Sequence, residues 1–90
     1  MFVNQLYDTL IRSIDELWFV TKDRLKKLIG QRVIELREKK GWSQSDLARE
    51  AGKDRQAIEK IENGKVNPTV YSLLEIVKAL DVSLSHFFNI

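Results

Sequence analysis

Between Gly52 and the helical pattern that begins at Arg55 stand only Lys53 and Asp54, and so short a link forces two helices to meet at a steep angle. The first of the two opens at Ser43, which suits an N-cap, with Asp46 placed to close a capping box, and buries Leu47, Ala48 and Ala51. Gly52 stops it. The second is expected over 54–63 with Asp54 as its N-cap. There a step of about 100° per residue sets Ile58 and Ile61 together, with Ala57 and Glu62 at the margins. Arg55, Gln56, Glu59, Lys60 and Asn63 remain outside, most of them with planar hydrogen-bonding heads. Gly64 closes the helix. The bland reading of that face is a solvated one; the sharper reading is a surface that reads a ligand.

The flanking sequence is helical by the same criteria. Val3, Leu6, Tyr7, Leu10, Ile14, Leu17 and Trp18 recur at steps of three and four, which predicts a first amphipathic helix. Positions 3, 7, 10, 14 and 17 also follow coiled-coil spacing, over less than three heptads. Thr21 or Asp23 would cap a second helix carrying Leu25, Leu28, Ile29, Val33 and Leu36 and ending at Gly41, after the cations Lys39 and Lys40. Gly30 inside it costs about 1 kcal/mol relative to alanine, so it either permits close packing or marks a junction. Thr69 would cap a later helix with Leu73, Leu74, Ile76, Val77 and Leu80. Ser83 would cap a last short one, with Val82 and Phe87 at the hydrophobic staple positions. The expected fold class is all-α.

Ninety residues suffice for one small domain with a modest core. A chain 43% hydrophobic and 31% charged, with one proline and four glycines, is expected to be globular and soluble rather than disordered. Absence of cysteine excludes disulfides and thiolate metal sites, and is compatible with a reducing cytoplasm. Asp8, Arg12, Asp15 and Glu16 interrupt the apolar start, so neither an export signal nor a membrane span is expected. The net charge is only +2, but residues 22–40 alone carry +5, against −2 for 1–21, zero for 41–65 and −1 for 66–90. That local excess suits a neighbouring phosphate backbone, although a solvated helix face explains it equally well. His86 is the single histidine, so no metal site is expected. The acidic residues form no nucleophile–base set, so neither enzyme activity nor a cofactor is expected.

From Leu28 to Phe88, about two-thirds of the chain, the sequence resembles the Cro/repressor-type, or Xre-like, helix-turn-helix regulators. Ser43-Gln44, Leu47-Ala48, Gly52, Ile58, Ile61-Glu62-x-Gly64 and Asn67-Pro68 carry the resemblance. It implies a five-helix lambda-repressor-like DNA-binding domain over 22–90, preceded by the helical extension 1–21. It also implies base reading by Arg55, Gln56, Glu59 and Lys60 in the major groove of double-stranded DNA, with Ser43, Gln44, Asn63 and Lys65 at phosphates. The side-chain chemistry agrees: Arg suits guanine O6 and N7, Gln adenine N6 and N7, and Glu cytosine N4. Free N–H groups at the helix starts Ser43 and Asp54 suit phosphate oxygens. Lys39 and Lys40 are further phosphate candidates beside their helix-end role.

The resemblance further implies a structural ion pair between Glu62 and Arg37. Glu59 is expected to pair with Arg55 or to repel wrong bases. Lys53 stands where a small apolar residue is common in the family, and Asp81 where glycine is common. Trp42 is expected to pack rather than stack on bases. A five-helix unit leaves little room for the stripe of Tyr7, Leu10, Ile14 and Trp18, which is therefore expected at a dimer contact, with intramolecular cover as the alternative. The resulting expectation is a cytoplasmic homodimeric repressor reading a pseudo-palindrome and occluding polymerase, its small size leaving no room for a sensing domain. The alternative is an antitoxin-like module holding a protein partner through the N-terminal helix or the tail Phe87-Phe88-Asn89-Ile90.

Overall fold

The computed structural model describes residues 21–89, and among these there is no β-strand. The expected N-terminal helix, its coiled-coil spacing and the contact assigned to it lie outside the described residues, as does Ile90. The helices are α1 (Lys22–Lys39), α2 (Gln44–Ala51), α3 (Arg55–Glu62), α4 (Val70–Ala79) and α5 (Leu84–Phe87).

Local chemistry sets most of the boundaries. The side chains of Thr21, Ser43, Thr69 and Ser83 each accept from a backbone N–H three residues on, which starts α1, α2, α4 and α5. At α2 the capping box is complete: Ser43 N donates to Asp46 Oδ2 at 2.9 Å, and Asp46 N donates to Ser43 Oγ at 3.1 Å. Asp54 occupies the N-cap position of α3, but its side chain makes no capping bond. The α3 entry is fixed instead by the steep turn before it, where Gly52 at φ 67° lets Lys53 N reach back to Ala48 O at 2.8 Å. Asp81, where glycine is common among similar sequences, adopts φ 60°, a left-handed position that aspartate tolerates better than most side chains.

One core joins all five helices. Val33, Leu47, Ile58, Ile76, Val77 and Phe87 are fully buried at its centre, and Ile29, Leu36, Ile61, Leu73 and Leu80 surround them. Val82 packs against this core beside the buried Phe87, in keeping with the staple positions. Gly30 belongs to close packing rather than to a junction: a Cβ there would lie 2.5 Å from the carbonyl oxygens of both Ile61 and Glu62. The backbone of α1 therefore rests directly on the last turn of α3.

Two basic side chains hold the ends of this assembly. Arg32 is buried, donating from Nε to Phe87 O at 2.9 Å and from Nη2 to His86 O at 2.7 Å, so that α1 satisfies the free carbonyls at the end of α5. Lys53 reaches Glu75 Oε1 at 2.9 Å and ties the α2–α3 turn to α4, which accounts for a lysine at a position commonly small and apolar.

Candidate nucleic-acid interface

Burial of Ile58, Ile61 and Glu62 fixes the rotation of α3 about its own axis and leaves Arg55, Gln56 and Lys60 exposed and Glu59 half-exposed. The expected face is therefore presented as one surface. Gln56 and Lys60 make no hydrogen bond or ion pair with another described residue, and they line an open cleft that Asn67 and Thr69 border from the α4 side. Lys65 is exposed just beyond α3.

The other polar residues form a connected chain rather than a row of free heads. Arg37 crosses from α1 to the buried Glu62, donating from Nε to Oε2 at 2.7 Å and from Nη2 to Oε1 at 3.1 Å, while its Nη1 donates to Trp42 O at 2.7 Å. These hydrogen bonds push the Arg37 guanidinium above its already high ordinary pKa, against the opposing effect of burial. Gln44 Nε2 donates to Glu62 Oε1 at 2.9 Å, and Gln44 Oε1 accepts from Arg55 Nη1 at 3.2 Å. Arg55 Nη1 lies 3.8 Å from Glu59 Oε2, and Asn63 Nδ2 donates weakly to Glu59 Oε1 at 3.5 Å.

Both pairs anticipated from the sequence, Arg37 with Glu62 and Arg55 with Glu59, are therefore present. The engagement of Gln44 was not anticipated. The available clue was stoichiometric: a buried carboxylate has more lone pairs than one guanidinium fills, so a further donor near the start of α2 was needed.

Several expected phosphate donors have protein partners. Ser43 uses both its N–H and its hydroxyl in the capping box, Gln44 and Asn63 are bonded as above, and Lys39 lies 3.9 Å from Glu35. Lys40 sits 4.9 Å above the Trp42 ring, and Trp42 packs against the core. Asp46 carries its negative charge at the start of α2, its carboxyl held below the usual range chiefly by the Ser43 backbone N–H. The described residues contain no cluster of three potential metal ligands, and no helix among them is long and apolar enough to cross a membrane.

The helix-turn-helix family HTH_3 matches residues 33–87, more than half of the chain and all of the surface just described. This chain belongs to the helix-turn-helix family of transcriptional regulators. Its relatives include the HTH-type transcriptional regulator y4dJ of Sinorhizobium fredii, 37% identical over 59 residues that make up 66% of this chain and 77% of that protein. Another is the regulator PuuR of Escherichia coli, 38% identical over 60 residues, 67% of this chain but 32% of PuuR.

Among solved helix-turn-helix structures, the restriction-modification controller protein C.AhdI from Aeromonas hydrophila superposes with a TM-score of 0.67. It is 35% identical, with 69% of this chain and 94% of that one covered. The controller C.Esp1396I, solved as a tetramer with its natural 35 base-pair operator, gives 0.68 at 38% identity, covering 71% of this chain and 84% of its own. The five described helices thus have the lambda-repressor-like arrangement that the sequence implies.

Proposed function

We propose that this chain is a sequence-specific double-stranded DNA-binding transcriptional regulator that places α3 in the major groove and acts as a dimeric repressor on a pseudo-palindromic operator. The observation that carries this reading is the division of α3: Ile58, Ile61 and Glu62 anchor it, and Arg55, Gln56 and Lys60 project from the opposite side. Those heads have the donor and acceptor patterns that distinguish base pairs, on an element too well packed to turn. The operator complex of the similar C.Esp1396I supports DNA as the partner and several copies as the binding unit.

Within this reading residues 22–90 are the DNA-binding unit and 1–21 an extension. Two copies would present their α3 helices to half-sites about 34 Å, or a multiple, apart. The chemistry is binding, without catalysis or cofactor, and the protein acts where DNA is, in the cytoplasm.

The test compares two substitutions. Gln56→Ala is expected to cost roughly 1–3 kcal/mol at one base position and little elsewhere. Lys65→Ala is expected to weaken all sequences alike and to lower the salt dependence by about one counterion. Equal loss on every sequence for Gln56→Ala would refute base reading by this face.

A further inference from the structure

The polar chain that runs from the buried ion pair to the surface of α3 has a fixed direction. The Glu62 carboxylate offers only lone pairs, so the Gln44 group that faces it must be the amide NH2. An amide with its NH2 turned inward has its carbonyl turned outward, and that carbonyl meets Arg55 Nη1. Among the charged and polar side chains, few carry a donor and an acceptor on opposite sides of one rigid plane; a carboxylate here would repel Glu62, and an ammonium would repel Arg55. Arg55 is held by Nη1 alone, so its Nε and Nη2 edge has no partner among the described residues. That edge is the two-donor fork that fits guanine O6 and N7.

We infer that Gln44 and the buried Glu62–Arg37 pair are positioning residues for base selection, fixing the orientation of the Arg55 guanidinium so that one edge faces the groove. This rests on α3 reading bases and adds the device that sets what one of its positions prefers. Gln44 is then a specificity residue without a base contact of its own, and its substitution has a signature that loss of a phosphate contact lacks.

The experiment uses the full chain and a set of duplexes carrying all four base pairs at each position of its selected site. Arg55→Ala first identifies the base pair that Arg55 reads. Gln44→Leu, which keeps the bulk and removes both hydrogen bonds, is expected to lower discrimination at that same pair by about tenfold, while the preference ratios at other pairs keep their wild-type values. The exchange variant Gln44→Glu with Glu62→Gln puts the donor on residue 62 and an acceptor toward Arg55, and is expected to recover most of the lost discrimination. Circular dichroism confirms that each variant is folded; should the exchange variant not fold, Gln44→Leu decides alone. If Gln44→Leu weakens every sequence by one factor, Gln44 is a phosphate contact and the inference is wrong, although base reading by α3 stands. If Arg55→Ala alters no base preference, both fail.

Discussion

At the scale of single residues, the Arg37–Glu62 pair and Asp46 show how differently a charge behaves with burial. Glu62 is 5% exposed and its carboxylate accepts three hydrogen bonds. Removing it leaves Arg37 without its partner in a half-buried position, and Glu62→Ala is expected to cost about 3–5 kcal/mol in urea unfolding. The double substitution Arg37→Met with Glu62→Leu should cost less than Glu62→Ala alone, since no charge is then stranded.

Asp46 is exposed and shifted the other way in consequence. Its folded pKa is lowered, so the stability it confers is fully present above the unfolded value of about 3.9 and is lost as pH falls through the lower folded value. Asp46→Asn should therefore be less stable than wild type at neutral pH, with the difference narrowing below about pH 4 in acid-unfolding curves. A difference that is constant with pH would show that the carboxylate's charge does not matter to the cap.

At the scale of elements, helix starts were legible because caps are local: Thr21, Ser43, Thr69 and Ser83 all act within three residues of themselves. The outward face of α3 was legible for the same reason, since a period of 3.6 residues needs only the sequence of that helix. What was not legible is what crosses between elements. Arg32 bonds carbonyls 54 and 55 residues away, and Gln44 bonds Glu62 and Arg55; no spacing rule announces such bonds.

Gly30 lies between these cases, a visible oddity whose partner was hidden. Alanine there should gain about 1 kcal/mol of helix propensity, yet its Cβ would lie 2.5 Å from two carbonyl oxygens of α3. Gly30→Ala is expected to be destabilising on balance, by roughly 1–3 kcal/mol. Because the collision is with the backbone of α3, base discrimination should fall in the folded fraction as well. A thermally stabilised Gly30→Ala variant would show that α1 and α3 are not in the close contact described.

At the scale of the whole molecule, the fold is a mount for one helix. Hydrophobic burial on three sides sets the rotation of α3, the α1 backbone supports its last turn, and the steep turn at Gly52 sets its angle to α2. Family membership could be recognised from the motif residues because they are the structural parts of this mount: Ile58, Ile61 and Glu62 inside, and Gly52 and Gly64 at its ends with φ of 67° and 68°. The exposed residues between them determine the operator and are free to differ among proteins with the same frame.

The central claim is that the exposed face of α3 reads base sequence, and selection of binding sites from random duplex DNA by the purified protein at near-physiological salt tests it most directly. The account predicts an enriched pseudo-palindrome with half-sites spaced by about one helical turn or a multiple of it. Salt-sensitive binding with no enriched sequence would contradict it, leaving the face of Arg55, Gln56 and Lys60 a solvated surface.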